Sequence, residues 1–348
     1  MRIAMQMSYA GGFDEAIDDV VALEAVGLDR VWVAEAYGFD AVSFMGYLAA
    51  KTERVEIASG ILPIYTRTPT LLAMTAAGID ALSGGRAILG LGASGPQVIE
   101  GFHGVRYDAP LGRTREIIEI CRQVWRRERV EHDGRRYQLP LPEGEGTGLG
   151  KALKMITHPV RDRIPIVNAA LGDKNVEMTA EVADGWLPIF FWPEKAREVW
   201  GDVLDAGAAK RDAELGELDI VAGGALAIGD GVEGLRDHGR PMAALYVGGM
   251  GAKGKNFYNT LFSRYGYGAE AEEIQELYLS GQKDAAAALL PDEFLANTSL
   301  IGSEGFVKDR LSAYREAGVT TLNVNPMAQT RDDRVRQVER LRALIDSL

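Results

Sequence analysis

One local pattern recurs along this chain and limits its fold more than any other feature. A helical stretch ends near a glycine, a charged residue follows, and a short apolar run comes next. Seven segments show the pattern: EAVGLDRVWVAE, KTERVEIASG, LSGGRAILGLG, VRDRIPIVNAA, EVADGWLPIF, GELDIVAGGALAI and EAGVTTLNVNP. With the opening run RIAMQM, they predict eight strands. The runs lack two-residue alternation, which is typical of strands buried on both faces.

Eight strands that alternate with helices predict an α/β fold, the (β/α)8 TIM barrel. In FDEAIDDVVALEAV, for example, Phe13, Ile17 and Val20 lie near one helix face, and Gly27 follows as a helix stop. A doubly wound open sheet is the alternative. It normally brings a spaced glycine fingerprint after the first strand, whereas SYAGGFDEA has only adjacent glycines. We therefore predict a single barrel domain over residues 1–348.

Two segments are longer than ordinary barrel loops, and we predict that both are insertions at the C-terminal mouth. The first, at about 130–155, begins with VEHDGRRYQL, which predicts a hairpin that turns at Asp133 and Gly134. The glycine-rich PLPEGEGTGLGK follows it and predicts a mobile lid. The second insertion, 248–297, separates the seventh and eighth strands and has a helical, alanine-rich pattern.

Charge and cysteine content narrow the class of protein. The chain has 348 residues and a formal net charge of -12, which argues against nucleic-acid binding because such binding relies on a basic surface. Its single cysteine, Cys121, is expected to be a small buried residue. The N-terminus lacks the apolar core of a signal peptide, and no apolar run approaches the roughly 18 residues of a membrane helix. We expect a cytoplasmic protein.

The third predicted strand is interrupted at its carboxyl end, where active groups lie in barrels of this kind. In ASGILPIYTRTPT the apolar run is broken by Gly60, and Pro63 and Pro69 follow. Gly60 is consistent with a bulge, with a close approach of backbone to a ligand, or with a cis peptide bond to Ile61. A simple turn explains the same residues, and composition alone favours the turn.

A glycine-rich segment follows the fourth predicted strand. In GLGASGPQVIEGFHG, Gly90, Gly92 and Gly95 surround Ser94. Small residues of this kind let backbone N–H groups converge on an anion, and the Ser94 hydroxyl is a further donor. A turn required only for tight packing between strand and helix is an equal alternative.

A second candidate anion site follows the fifth predicted strand. The run from Gly172 to Asn175 is expected to begin a helix, whose free N–H groups favour an anion. Lys174 adds a positive charge, whereas Asp173 is equally suited to be the helix N-cap. Two such segments at neighbouring strand ends support an anion site more strongly than either one alone.

Glu35 and Tyr37 follow the second predicted strand. A carboxylate at the mouth is suited to move a proton, but it is equally suited to be the structural partner of an arginine. The four histidines lack the spacing of a metal site. His103 follows the glycine-rich segment and is a candidate to reach the pocket, a position that the sequence does not favour, and we expect His132 and His238 to be solvated.

Three segments together resemble the bacterial luciferase-like superfamily, and within it the enzymes that use the deazaflavin coenzyme F420. The segments are RVEIASGILPIYTRTPTLLAMTAAGIDALSGGRAILGLGASGPQVIEGFHGV, PLGRTREIIEICRQVW and VNAALGDKNVEMTAEVADGW. The resemblance implies a barrel with insertions, often dimeric, and an oxidoreductase that transfers a hydride to or from a small-molecule substrate. It extends over most of the chain and is weakest in 248–297.

The resemblance also implies a cofactor site. A non-prolyl cis peptide on the third strand braces the cofactor ring, the loops after strands four and five hold the phosphate of the tail, and further residues line the site. The matching positions here are Gly60, Ile61, Gly92, Ala93, Ser94, Gly95, Gln97, Ala169, Gly172, Asp173, Lys174, Asn175 and Trp186. In this interpretation the two candidate anion sites are one site.

One departure from the family pattern concerns the substrate. Relatives often have an Asp-His or similar pair after strand two, whereas this chain has Glu35, Ala36 and Tyr37. The missing histidine argues against oxidation of sugar phosphates or alcohols and favours reduction of an activated double bond or imine. Glu35 or Tyr37 is then the candidate proton donor.

The acidic tail of the cofactor needs cationic partners. Candidates in the second insertion are Lys253, Lys255 and Arg264, for which a solvated helix face is the alternative. The segments near Gly144 and Gly251 are expected to close over the mouth. Two other functions remain open: an FMN-dependent monooxygenase of the same superfamily, and a cofactor carrier without catalysis.

Overall fold

The structure is a computed structural model that describes residues 1–7, 13–251 and 253–348 of the chain. Its strands are β1 (Arg2–Gln6), β2 (Arg30–Val33), β3 (Glu56–Ser59), β4 (Leu62–Pro63), β5 (Ala87–Gly92), β6 (His132–Asp133), β7 (Gln138–Leu139), β8 (Ile166–Asn168), β9 (Gly185–Trp186), β10 (Asp219–Ile228), β11 (Leu300–Gly302) and β12 (Thr321–Pro326). Eight of them pair in parallel around a closed barrel, in the order β1, β2, β3, β5, β8, β9, β10, β12 and back to β1. The predicted (β/α)8 barrel and its eight strands are confirmed.

Helices surround the barrel and separate consecutive strands. They are α1 (Phe13–Ala25), α2 (Ala41–Lys51), α3 (Pro69–Ser83), α4 (Pro96–Ile99), α5 (Pro110–Trp125), α6 (Asp173–Val182), α7 (Pro193–Ala208), α8 (Arg240–Ala244), α9 (Phe257–Arg264), α10 (Gly268–Leu279), α11 (Lys283–Ala288), α12 (Asp292–Asn297), α13 (Glu304–Glu316) and α14 (Arg331–Asp346). The predicted stop after α1 is confirmed, since Gly27 has a φ of 99°. Of the predicted α1 face, the Phe13 side chain lies outside the described residues.

Two cores lie on opposite sides of the barrel wall. Alternate strand residues such as Ile3, Met5 and Val31 pack outward against the helices. The residues between them point inward and form a small separate cluster: Ala4, Trp32, Ala58, Ile88, Val167 and Val221. The inner cluster fills the middle of the barrel, so the space above it opens at the carboxyl ends of the strands.

Charged residues close the opposite, amino end of the barrel. The Arg30 side chain is almost fully buried and donates to Glu56 and Asp219, each at 2.8 Å. Arg2 adds a second contact to Asp219 at 2.8 Å, and the Thr321 hydroxyl donates to the same carboxylate. This network fills the amino end of the barrel, and the carboxyl end is the mouth.

The first insertion begins with the predicted hairpin, but its turn differs from the prediction. Strands β6 and β7 pair Asp133 with Gln138, and the Gly134 N–H donates to the Tyr137 carbonyl at 3.0 Å. A four-residue loop, 134–137, therefore replaces the turn predicted at Asp133 and Gly134. Glu116 fixes this loop by accepting the N–H groups of Arg136 and Tyr137. The following segment, from Pro140, is largely exposed coil.

The connection between β10 and β12 is helical, and it begins well before residue 248. A 3-10 helix (Glu233–Gly239), α8 and a π-helical turn (Leu245–Gly249) precede the helices α9 to α12. Strand β11 then pairs with the last residues of β10. Sequence patterns did not predict β11, because its run of three residues is too short to distinguish from a loop.

Cys121 lies in α5 and is fully buried, as expected. Burial raises the pKa of its thiol far above the ordinary range, which suits an unreactive core residue. Within the described residues, every helix is too short or too polar to cross a bilayer.

Candidate active site

The interruption of the third strand lies at the barrel mouth. Strand β3 ends at Ser59, the peptide bond from Gly60 to Ile61 is cis, and β4 resumes pairing with β5. The cis bond is the alternative that the family resemblance implied, and the simple turn is wrong. Ser59 joins this segment to the neighbouring strand, because its hydroxyl donates to the Gly90 carbonyl and accepts the Gly90 N–H, each at 2.8 Å.

Glycines at two levels of β5 let the third strand lie this close. A Cβ on Gly90 would lie 1.7 Å from the Ser59 carbonyl oxygen, so that position has no room for a side chain. A Cβ on Gly92 would lie 2.9 Å from Ile61 Cγ1. Glycine at position 90 therefore allows the backbones of β3 and β5 to pack together. Glycine at position 92 leaves room for the side chain of Ile61, which is partly exposed.

The loop after β5 forms an open shelf at the mouth. Ser94 adopts a left-handed conformation with φ 56°, and Gly95 caps the single turn of α4 without a side-chain hydrogen bond. Ser94 and Gln97 are exposed, and Ala93 is half-buried. The Tyr107 hydroxyl donates to the Ser94 carbonyl at 3.4 Å.

The loop after β8 presents the first turn of α6. Gly172 is its N-cap and supplies no side-chain acceptor. The Asn175 N–H donates to the Gly172 carbonyl at 2.9 Å, so the N–H groups of Asp173 and Lys174 are the ones that keep their capacity for a ligand. Asn175 is held from below by Asn168, whose Nδ2 donates to the Asn175 Oδ1 at 3.1 Å. Lys174 is exposed beside this turn. Asp173 is the first residue of the helix, so the prediction that it is the N-cap is wrong.

The second insertion contacts this same turn. The Phe257 ring lies over Gly172, where a Cβ would approach Phe257 Cε1 to 2.9 Å. Arg264 forms an ion pair with Asp173 at 2.7 Å and also donates to the Val199 carbonyl. Of the three cationic candidates in this insertion, Arg264 therefore reaches the α6 terminus. Lys253 instead pairs with Glu276 at 3.0 Å, and Lys255 is exposed.

Trp186, predicted to line the site, is a fully buried core residue. Its indole N–H donates to the Ala170 carbonyl at 2.8 Å, and its ring packs against Trp200 with centroids 5.1 Å apart. The structure therefore gives it a supporting position behind the loop after β8. Ala169, also predicted for the cofactor, is half-buried in that loop, and its N–H donates to the Leu91 carbonyl at 2.9 Å.

Glu35 and Tyr37 occupy different environments after β2. Glu35 is largely buried. Its carboxylate accepts hydrogen bonds from both terminal nitrogens of Arg67, at 2.5 and 2.9 Å, and from the N–H of Ala41 at 3.0 Å. Of the two roles weighed for Glu35, the structure shows the arginine partner. Tyr37 is exposed, and its ring lies 6.2 Å from the exposed ring of Phe102, between centroids.

The histidines agree only partly with expectation. His103 is half-buried, and its Nε2 is a buried atom without a hydrogen-bond partner in the described part of the chain. His132 was expected to be solvated, but it packs in the first insertion with its Nε2 3.3 Å from Glu116 Oε2. The hairpin covers it because Glu116 also binds the backbone of the hairpin loop. His238 is exposed.

Several residues at the mouth were not identified from the sequence. Arg67 lies between two threonines just before α3. Its position shortly after the third strand could have indicated a cation at the mouth. Phe257 gave no signal, because its contact with Gly172 joins residues far apart in the chain. Gln6 and Asn323 lie in two of the predicted strands, but these strands lack the two-residue alternation that would show which side chains point inward.

Comparisons with known proteins identify the family of the chain. A family profile described as luciferase-like monooxygenase matches residues 1–321. A Mycobacterium tuberculosis protein named as a coenzyme F420-dependent oxidoreductase is 43% identical over 93% of this chain and 94% of its own. A 5,10-methylenetetrahydromethanopterin reductase of Archaeoglobus fulgidus is 29% identical over 85% of each chain.

A solved structure has the same fold. The coenzyme F420-dependent tetrahydromethanopterin reductase of Methanopyrus kandleri superposes with a TM-score of 0.80, covers 97% of each chain and is 20% identical in sequence. At this identity the match supports the architecture alone.

Proposed function

The chain belongs to the luciferase-like monooxygenase family, and from this premise we propose that it is a coenzyme F420-dependent oxidoreductase that transfers a hydride between the cofactor and a small organic substrate. The observation that carries the proposal is the 43% identity to a protein named for this activity, over nearly the whole of both chains. Bound F420 supplies a deazaflavin ring that carries a hydride, because carbon replaces the ring nitrogen on which flavin radical and oxygen chemistry depends.

The residues at the mouth fit such a cofactor. The α6 terminus has an uncapped first turn, and the shelf after β5 has small residues and an exposed hydroxyl at Ser94. Both features suit a phosphate, which binds well to backbone N–H groups at helix ends. Orphaned polar atoms inside the barrel, on Trp32 and Asn323, offer hydrogen bonds that the described residues do not use.

We assign roles to the mouth residues on that basis. Gly60 and Ile61 would brace one face of the ring, and Gly92 provides the space for Ile61. The phosphate would be held between the shelf and the first turn of α6, a site formed by these residues: Ala93, Ser94, Gly95, Gln97, Ala169, Gly172, Lys174 and Asn175. Asp173 and Trp186 position this loop rather than bind the ligand.

Other residues at the mouth would orient the substrate and exclude water from the site. Tyr37 is exposed at the mouth and is the proposed proton donor to the substrate. Glu35 is the positioning residue that holds Arg67 and the loops after β2 and β3. Closure of the exposed segment near Gly144 over the mouth would keep water from the reaction.

A pair of titrations tests the cofactor. The purified protein is titrated with F420 and, separately, with FMN, and binding is followed by ligand fluorescence. We expect F420 to bind at least about tenfold more tightly than FMN, a difference of about 1.4 kcal/mol. Tight FMN binding with negligible F420 binding would instead identify the monooxygenase alternative.

Turnover separates an enzyme from a carrier. Protein with reduced F420 is mixed with a panel of activated alkenes and imines, and oxidation of the cofactor is followed by absorbance. We expect at least one class to be reduced in a protein-dependent reaction. Binding of F420 without turnover of any member of the panel would support the carrier.

We also propose that the protein is a cytoplasmic homodimer. Large apolar side chains are exposed on adjacent helices: Tyr47 on α2, and Leu71, Met74 and Leu82 on α3. Such a face is suited to burial against a second copy of the chain. The single free thiol is consistent with a reducing compartment. Sedimentation of the wild type and of a Met74→Glu variant tests the dimer, since the variant should sediment as a monomer.

A further inference from the structure

Gln6 and Asn323 lie on adjacent strands and point into the barrel. On β1, Met5 and Met7 pack in the outer core, whereas Ala4 belongs to the inner cluster, so Gln6 is an inward position. On β12, Leu322 and Val324 pack outward, so Asn323 is inward as well. We call Gln6 and Asn323 the floor amides.

The two floor amides lie at successive levels beneath the mouth. The register of β1 and β12 pairs Ala4 with Asn323, so Gln6 is one inward step nearer the mouth than Asn323. Gln6 also lies beside the interruption of the third strand. Its Oε1 is 3.2 Å from the position that a Cβ on Gly60 would take. A side chain at Gly60 would therefore press on the Gln6 amide.

Within the described part of the chain, the floor amides differ in their hydrogen bonds: the side-chain oxygen of Asn323 is unsatisfied, and Gln6 makes a long hydrogen bond. Asn323 Oδ1 is a buried atom with no hydrogen-bond partner in the described ranges, although the residue as a whole is partly open. The Gln6 Nε2 donates to the Trp32 carbonyl at a long 3.3 Å. The indole N–H of Trp32, in the same interior, also lacks a partner among the described residues. A buried polar group without a partner costs about 1–3 kcal/mol, so a chain selected for stability alone would place apolar residues here.

We propose that the floor amides bind the edge of the cofactor ring and select ligands that present an N–H donor beside a carbonyl acceptor. An amide side chain offers one acceptor and two donors, which suits an imide edge of this kind. The inference rests on the proposed function, because the deazaflavin ring carries such an edge. It adds specificity-determining residues on β1 and β12 to the strand ends that hold the phosphate.

If the floor amides served only to stabilise the fold, their replacement would lower the melting temperature of the ligand-free protein. Asn168 provides the matched control, because it is also a buried strand asparagine, but its Nδ2 donates to Asn175 and to the Thr179 hydroxyl. Asn168→Leu breaks satisfied hydrogen bonds and should lower the melting temperature of the ligand-free protein. Asn323→Leu replaces an unsatisfied amide by an apolar side chain of similar size and should leave that temperature unchanged or raise it.

The experiment combines melting temperatures with two ligand titrations. Wild type, Asn323→Leu, Gln6→Met and Asn168→Leu are melted without ligand and titrated with F420 and with its ring and ribityl chain lacking the phosphate. We expect Asn323→Leu and Gln6→Met each to weaken both ligands by a similar factor, about 5- to 20-fold. Gln6→Met keeps the test available if Asn323→Leu does not fold.

The outcomes separate this inference from the proposed function. If the wild type does not bind F420, the proposed function fails, and with it the ring as the ligand of the floor amides. If the wild type binds F420 but both floor variants bind the ring fragment as tightly as wild type, only the present inference is overturned. A fall in the melting temperature of Asn323→Leu that matches Asn168→Leu would likewise overturn it.

Discussion

Arg67 grips Glu35 through two hydrogen bonds across the barrel mouth, from Nη1 to Oε1 at 2.5 Å and from Nη2 to Oε2 at 2.9 Å. The Ala41 N–H adds a third at 3.0 Å. With three hydrogen bonds from a cation and a helix end, the Glu35 carboxylate serves as a structural partner. The pair joins the loop after β2 to the loop after β3.

Glu35→Gln should therefore change stability and leave the pH profile of turnover as it is in the wild type. The neutral amide cannot satisfy the partly buried Arg67 guanidinium, so we expect the free energy of unfolding to fall by about 2 kcal/mol. Chemical denaturation and a pH series of turnover rates measure the two effects. The double variant Glu35→Gln/Arg67→Met should recover part of the loss. Disappearance of one limb of the pH profile in Glu35→Gln would restore Glu35 as an acid or base.

Tyr37→Phe should lower turnover and leave stability unchanged, in contrast to Glu35→Gln. Tyr37 is 69% exposed, so loss of its hydroxyl should leave the melting temperature unchanged. If the hydroxyl donates the proton to substrate, turnover should fall by about 100-fold or more with F420 affinity unchanged. Steady-state kinetics and the F420 titration make the comparison, and Phe102→Leu controls for loss of the neighbouring ring. If Tyr37→Phe turned over as fast as wild type, Tyr37 would not be the proton donor.

The fold was predictable from sequence because its signal is local and repeated. Seven of the eight barrel strands are marked by the same signal, an apolar run between a helix stop and a loop, and the first strand is the apolar run that opens the chain. Strand β11 was missed because its three residues carry too little pattern. The hairpin was predicted, but its loop length depends on Glu116, a residue on α5 that binds the loop from outside.

The site was predictable only where glycines mark it. Gly60, Gly92 and Gly172 stand where another chain segment approaches closely, and a glycine at a strand end signals such an approach. Partners from distant segments gave no such signal. The ion pairs of Glu35 with Arg67 and of Asp173 with Arg264 depend on how loops meet at the mouth, which residue spacing does not encode.

The amino end of the barrel should be the most acid-sensitive part of the fold. Burial acts to raise the pKa of Asp219, but Arg30, the Thr320 hydroxyl and Arg2 outweigh it, so that the pKa lies below its ordinary value. A carboxyl with a lowered folded pKa stabilises the fold above its unfolded pKa, about 3.9. This stabilisation is lost as the pH falls through the lower folded value.

Asp219→Asn should accordingly lower the free energy of unfolding by about 3 kcal/mol at pH 7, because it removes one of the two carboxylates that pair with the buried Arg30, and the same carboxylate also pairs with Arg2. The gap between variant and wild type should narrow as the pH falls below about 4. Urea unfolding at several pH values measures it. Asp205→Asn, which removes an exposed ion pair with Arg197, should match wild type throughout. A gap that does not change with pH would contradict the electrostatic account.

Gly90→Ala and Gly92→Ala should distinguish a glycine needed for the stability of the barrel from a glycine needed for cofactor binding. A Cβ on Gly90 meets the Ser59 backbone, which cannot move without parting the strands, so we expect a loss of about 3 kcal/mol. A Cβ on Gly92 meets only the Ile61 side chain, so the loss should be about 1 kcal/mol. Displacement of Ile61 should nevertheless weaken F420 binding. Denaturation and titration test both variants, and equal stability losses with unchanged affinity in Gly92→Ala would contradict the assignment.

The Arg264 contact should control how the α6 terminus binds a phosphate. The Asp173 carboxylate lies in the first turn of α6, where it competes with a ligand anion for the helix end, and Arg264 offsets its charge at 2.7 Å. We expect Asp173→Asn to strengthen F420 binding about 2- to 5-fold and Arg264→Gln to weaken it about 5- to 10-fold, with the double variant near wild type. Glu177→Gln, further along α6, should have no effect. The ring fragment without phosphate should bind all four variants equally, and weakening of that fragment by Arg264→Gln would show that the residue acts through closure of the insertion instead of charge.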